Sequence, residues 1–177
     1  MINSIDKAIF LDRDGVLNKL INVNGELTSP KIFSDFKIYH DELIKFKKLK
    51  SKYLLILITN QPDISRKKMK KNELDKMHKE LSKHIDLDEI LVCMHDNNDD
   101  CTCRKPKPGM LLDAKSRLKI NFNKSYLIGD SWRDISAGKK VGVETILINR
   151  DAKNINNVLP DYCFDSLDSM FQSNIIK

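Results

Sequence analysis

Five short, nearly unbroken apolar runs punctuate the chain, at Lys7–Leu11, Leu54–Ile58, Ile90–Val92, Tyr126–Ile128 and Glu144–Ile148. A strand with one wet face alternates apolar and polar residues, so runs without alternation predict strands covered on both faces. Helical spacing appears between them. Leu43, Phe46 and Leu49 mark a helix over Asp41–Leu49. Leu74, Met77 and Leu81 mark another over Asn72–His84, with Asn72 as its N-cap and Asp75 three residues on. Pro108 opens a third, Pro108–Leu118, with Leu111, Ala114 and Leu118 on one side. Ser131 with Asp134 starts a fourth, Ser131–Lys139, before Gly138 and Gly142 punctuate the turn, and the tail Ser166–Ile176 is weakly amphipathic. Strands alternating with helices predict an α/β fold built on a mainly parallel sheet with helices on both sides. The segment Asn18–Tyr39 breaks this rhythm with Asn22, Asn24, Gly25 and Pro30, then Phe33 and Phe36. It predicts a small flap after the first strand, because loops of this length inside a compact domain are usually functional. No repeat or second domain is visible, so residues 1–177 read as one domain.

Composition narrows the function classes. An apolar share of 41% and a charged share of 32% are those of an ordinary globular chain. No apolar run approaches the length that spans a bilayer, and Met1–Lys7 carries no basic region feeding a long apolar one. The expectation is a cytoplasmic monomer with no membrane partner. The net charge of +6 is spread over scattered lysines. The densest run, Lys67-Lys68 with Lys70-Lys71, lacks aromatic interleaving and reads as a solvated face rather than a nucleic-acid site. A positive field does favour a small anionic substrate.

The acids fall where chemistry is expected. Asp12 follows the first apolar run and Asp14 lies two residues later; Asp130 follows another run, in Gly129-Asp130-Ser131-Trp132-Arg133-Asp134. In a parallel sheet both sets reach the carboxyl edge, where such folds bind ligands. Converging carboxylates repel unless a cation joins them, and hard Mg²⁺ takes oxygen ligands. Asp12 is then a nucleophile toward phosphorus, and Asp14 a general acid and later base. Asp12, the Asp14 carbonyl and Asp130 are candidate Mg²⁺ ligands, with Asp134 in the outer shell. Thr59, at a strand end, and Lys105 are placed to hydrogen-bond and neutralise the transferring phosphoryl group.

Taken together these motifs resemble the haloacid dehalogenase superfamily of phosphatases. Asp12-Arg13-Asp14-Gly15-Val16-Leu17-Asn18, Thr59-Asn60-Gln61, Lys105, and Gly129-Asp130 through Asp134 match its four motifs in order. The resemblance implies a Rossmann-like core, a phospho-aspartyl intermediate and the residue roles just given.

The cysteines add a second metal. Cys93-x-His95 and, five residues on, Cys101-x-Cys103 supply three thiolates and one imidazole, a full tetrahedral set for structural Zn²⁺. Without a leader segment such clustering reads as metal binding rather than a disulfide framework. Arg104 and Lys105 follow at once, so a clamped loop would order both cations over the carboxylates. Cys-x-His…Cys-x-Cys-Arg-Lys-Pro also resembles the heptose bisphosphate and histidinol-phosphate phosphatases, which implies a zinc loop and a small flap without a large cap domain. The heptose enzymes remove the C7 phosphate and retain the anomeric one. Under that resemblance Asn60, Gln61, Arg66, Arg104 and Lys107 are substrate-binding candidates, arginine suiting bidentate phosphate recognition. Pro62-Asp63, Lys67-Lys68 and the short loop depart from the heptose pattern. A histidinol-phosphate phosphatase, with Glu26, Asp35 or Phe36 meeting a cationic substrate, is the alternative. A third reading, a zinc-stabilised nucleic-acid module without catalysis, sits poorly with the intact Asp12, Asp14, Thr59, Lys105 and Asp130.

Overall fold

The computed structural model describes residues 5–150 and 156–176; the outer residues of the 1–177 domain reading, and the start of Met1–Lys7, lie outside these. Along the chain run β1 (Ala8–Leu11), β2 (Ile21–Val23), β3 (Glu26–Thr28), α1 (His40–Leu43), β4 (Leu54–Asn60), α2 (Lys71–Leu81) and β5 (Glu89–Cys93). After them come α3 (Gly109–Leu118), β6 (Tyr126–Gly129), α4 (Trp132–Lys139), β7 (Glu144–Ile148), β8 (Tyr162–Phe164) and α5 (Leu167–Gln172). Six strands pair in parallel in the order β5-β4-β1-β6-β7-β8. The five expected strands are all present. The sixth, β8, is a three-residue edge strand with a partly exposed pattern, too short to leave a periodic signal.

Strand residues divide between two cores. Ile9, Leu11, Leu55 and Leu57 face one side, with Leu74, Met77 and Leu81 of α2. Ala8, Phe10, Ile56 and Ile58 face the other, with Leu111 and Ala114 of α3. This is why the runs lack alternation: both faces are dry. Among the described residues no helix is long and apolar enough to cross a membrane.

Local departures from expectation have physical causes. Leu43, Phe46 and Leu49 are spaced by three, the repeat of a 3₁₀-helix, and α1 indeed gives way to a 3₁₀ segment over Ile44–Lys48. The helix expected from Asn72 begins at Lys71 with Lys70 as an extended N-cap, so Asn72 caps nothing; Asp75 pairs instead with Lys71, and the helix ends at Leu81 rather than His84. Pro108 lies at the N-cap of α3. Ser131 and Asp134 form the expected reciprocal capping box. The flap is a hairpin, β2 with β3, turned by Asn24 and Gly25 at φ 53° and 87°. Asn-Gly is the residue pair that a tight hairpin turn with two positive φ angles favours.

Candidate active site

The carboxyl ends of β1, β4 and β6 are adjacent, and the motifs converge there. Asp12, Asp130 and Asp134 each offer a carboxylate oxygen, all within 4.8 Å of one another. Lys105, 3% exposed, donates to Asp12 Oδ1 at 2.8 Å, to Asp134 Oδ1 at 2.6 Å and to the Ile58 carbonyl at 2.9 Å. The backbone makes room for this crowding. A Cβ on Gly15, whose φ is +84°, would lie 2.1 Å from Asp130 Oδ2, and one on Gly129 would lie 2.1 Å from the Asp134 Cβ. Burial, then the charges of Asp134 and Asp130, push the Asp12 pKa up to about 8 against the pull of Lys105. Burial alone would lower the Lys105 pKa, but Asp12 and Asp134 outweigh it and hold the amine charged. One lysine does not balance three carboxylates. The remaining negative charge, with oxygen donors only, fits a hard divalent cation. Asp134 has its oxygens engaged: Oδ1 by Lys105, Oδ2 by the Ser131 amide at 3.2 Å and hydroxyl at 2.7 Å.

Asp14 lives differently. Arg13, fully buried, forks onto it with Nη2 at 3.0 and 2.9 Å and Nε at 3.1 Å, while Gln61 Nε2 at 2.8 Å and Asn18 Nδ2 at 3.0 Å also donate to it. Burial opposes ionisation here, yet Arg13 and these donors win and hold the Asp14 carboxyl below the usual range. Arg13 also lies 5.7 Å over the Phe36 ring and 3.5 Å from His78 Nε2. Sequence reading passed over Arg13, His78 and Asn18. A lone arginine between two aspartates looks solvated until the sheet buries it.

The other candidates separate into pocket-lining and supporting groups. A cavity of about 540 Å³ opens over Asp12, Asp14 and Asp130 and is bounded by Thr28 and Ser29 of the flap, Arg66 and Arg104. Gln61 is buried and spans Asp14 and Thr59 Oγ1 at 2.8 Å each, so it braces the acids rather than facing the cavity. Asn60 lines the cavity, but its amide exchanges two 3.0 Å hydrogen bonds with the Lys105 backbone and so seats that loop. Arg66 forks onto Asp96. Lys107 pairs with Asp100 and lines a neighbouring cavity, not this one. Glu26, Asp35 and Phe36 do not line it either, which leaves the cationic-substrate reading without its acidic partner. Trp132 and Arg133, which do line it, were not among the sequence candidates.

Cys93, His95, Cys101 and Cys103 also converge within 4.8 Å. Cys93 Sγ lies 3.7 Å from Cys101 Sγ and 3.6 Å from His95 Nδ1, and His95 Nδ1 lies 3.3 Å from Cys103 Sγ. These are the separations of ligands set tetrahedrally about an ion at about 2.0–2.3 Å. The cysteines are unpaired as disulfides.

Comparison with known proteins gives a consistent answer. A HAD-hydrolase-like family model matches residues 102–170. The D-glycero-beta-D-manno-heptose-1,7-bisphosphate 7-phosphatase of Haemophilus influenzae is 35% identical, the match covering 92% of this chain and 94% of that one. The chain belongs to the haloacid dehalogenase superfamily of phosphatases. A Campylobacter jejuni phosphatase named for the alpha anomer of the same bisphosphate is 38% identical over 83% of this chain and 85% of its own. The crystal structure of D,D-heptose 1,7-bisphosphate phosphatase from B. bronchiseptica, complexed with magnesium and phosphate, matches with a TM-score of 0.77 at 27% identity, covering 94% of this chain and 99% of that one. The haloacid dehalogenase core is here complete, with a hairpin flap and no large cap domain among the described residues.

Proposed function

We propose that the protein hydrolyses the C7 phosphate of D-glycero-D-manno-heptose 1,7-bisphosphate, giving heptose 1-phosphate and phosphate. The convergence of Asp12, Asp130 and Asp134 about Lys105 carries this reading, and similarity to heptose bisphosphate phosphatases over 83–94% of the chain supports the substrate. In the first step an Asp12 oxygen attacks phosphorus, the bond to the sugar oxygen breaks, and Asp14 gives that oxygen a proton. In the second, Asp14 takes a proton from water, which attacks the same phosphorus and releases phosphate, restoring Asp12. Lys105 neutralises charge on the phosphoryl oxygens and Thr59 donates a hydrogen bond to them. The Arg13 fork and Gln61 favour ionised Asp14, the form the water step needs; the first step requires Asp14 to turn from that fork. Asp12, Asp130 and the Asp14 carbonyl would hold Mg²⁺, while Asp134, engaged by Lys105 and Ser131, would steady the lysine; the ion would supply charge to offset that of the phosphoryl group. Cys93, His95, Cys101 and Cys103 would hold a structural Zn²⁺ that keeps Arg104 and Lys105 in register. The enzyme is read as a cytoplasmic monomer.

Steady-state phosphate release with Mg²⁺, on the two anomers of heptose 1,7-bisphosphate and on histidinol phosphate, tests the reading. Discrimination by kcat/KM of about a hundredfold for one heptose anomer, about 2.7 kcal/mol, is expected. Preference for histidinol phosphate would refute the substrate and keep the phosphatase.

A further inference from the structure

Thr59 and Asp14 serve opposite ends of the bond that breaks, one at the phosphoryl oxygens and the other at the leaving oxygen. They stand apart in the chain, Thr59 in β4 and Asp14 just beyond β1. Among the described residues Gln61 alone hydrogen-bonds to both. It is 2% exposed and donates from Nε2 to Asp14 Oδ2 and to Thr59 Oγ1, each at 2.8 Å. Its backbone is anchored as well, the amide donating to the Cys93 carbonyl at 2.7 Å. The side-chain amide faces one way only. A carboxylate forked by Arg13 accepts and cannot donate, so the NH₂ and not the carbonyl of Gln61 must meet it.

The two bonds use both hydrogens on Nε2, and each has a consequence. A hydroxyl oxygen that accepts a hydrogen bond aims its own proton elsewhere. Thr59 is 1% exposed, and among the described residues no acceptor takes that proton. It is left for the phosphoryl group. At Asp14 both oxygens are filled. Oδ1 accepts from Arg13 Nε, Arg13 Nη2 and Asn18 Nδ2 at 3.1, 3.0 and 3.0 Å, and Oδ2 accepts from Arg13 Nη2 at 2.9 Å and from Gln61. Arg13 has no second carboxylate among the described residues, so releasing Asp14 altogether would strand a buried cation. Gln61 keeps Thr59 when it lets Asp14 go. Oδ2 is therefore the oxygen that is freed at the smaller cost.

We propose that Gln61 is a positioning residue for the phosphoryl transfer: it turns the Thr59 hydroxyl proton toward the phosphoryl group and presents Asp14 Oδ2 as the oxygen that hands a proton to the leaving alcohol. This rests on the roles of Thr59 and Asp14 in the phosphatase reading above.

The experiment measures kcat/KM on heptose 1,7-bisphosphate, whose alcohol needs a proton to leave, and on p-nitrophenyl phosphate, whose phenolate does not, in wild type and Gln61→Met. This ratio reports the steps up to departure of the leaving group, so the later attack of water does not enter it. Gln61→Met keeps the length of the side chain and removes both donors. The value should fall about 100-fold on the sugar phosphate, where both functions are lost, and about tenfold on the aryl phosphate, where only the Thr59 contact is, so the preference falls about tenfold. Gln61→Glu should shift the preference in the same direction, because an ionised carboxylate gives neither bond, and it replaces Gln61→Met if that variant does not fold. Behind Thr59→Val, Gln61→Met should cost nothing further on the aryl phosphate. A packing role would lower both substrates equally. A preference equal to that of wild type, or a full tenfold loss behind Thr59→Val, overturns the proposal. A wild type active on p-nitrophenyl phosphate and inactive on the bisphosphate overturns the heptose reading alone, and the comparison is then made with glycerol 2-phosphate as the alkyl ester.

Discussion

The carboxylate–lysine centre and the Cys/His cluster are both sets of four groups drawn to one point, yet they are built in opposite ways. Asp12, Lys105, Asp130 and Asp134 come from three separated segments and meet because β1 and β6 are neighbours in the sheet and the loop after β5 seats Lys105 on Ile58 and Asn60 of β4. Cys93, His95, Cys101 and Cys103 lie within eleven residues and need only a loop, closed in part by Asp96 capping a 3₁₀ turn over Asn97–Asp99. The first set is buried apart from partly exposed Asp12, with Lys105 and Asp134 almost wholly out of solvent. The second grades from buried Cys93 to exposed His95. Charge that must act on a substrate is held on the rigid sheet, where it cannot relax away. The cluster, under the proposed zinc reading, has only to keep a loop in shape.

The largest expected effect breaks the first set. Asp12→Asn should lose phosphate release by about 10⁴-fold or more, because the nucleophile is gone, while circular dichroism stays that of the wild type. Lys105→Met should reduce kcat by roughly 10²–10³-fold. It should also lower the melting temperature, since it leaves the buried Asp134 carboxylate without its cation, and such breakage costs about 3–5 kcal/mol. A melting temperature equal to wild type would mean that water, not Lys105, compensates that carboxylate.

Breaking the second set should cost less. Cys101→Ser, or stripping by a thiol-competent chelator, should lower turnover about tenfold and raise amide exchange over residues 93–107. Added zinc should reverse the chelation and excess magnesium should not. Full activity in zinc-free protein would show that the loop holds its shape unaided.

The smallest effect concerns His78, beneath Arg13. Burial and the neighbouring Arg13 lower its pKa to about 4, from an ordinary value of 6.5. The unfolded chain therefore binds more protons between those values, and stability is complete above about 6.5 and falls as the pH drops toward 4. His78→Gln should flatten that part of the denaturation-versus-pH curve; an unchanged slope would assign the acid sensitivity elsewhere.

Legibility followed the same division. The convergence of Asp12, Asp130, Asp134 and Lys105 could be read because each stands beside an apolar run or a distinctive neighbour. The Cys/His spacing could be read because its ligands are local. Arg13 could not, because nothing adjacent to it reveals that Phe36 and His78 will enclose it. Nor could the pairing of Arg66 with Asp96, thirty residues away, or of Lys107 with Asp100 across the cluster loop. Gln61 read as a substrate contact and is a brace between Asp14 and Thr59. The three-residue spacing of Leu43, Phe46 and Leu49 was visible but fits a 3₁₀ turn better than the α-helix it suggested.

By itself the amino-acid sequence determined the parallel α/β architecture, the motif order and the two sets of metal-competent donors, since these depend on periodicity, residue type and short spacing. Only the tertiary structure decided which charged groups spend themselves on one another, as Lys105 does on Asp12 and Asp134. Ion pairing falls steeply with distance and burial, and both quantities exist only once distant segments are packed together.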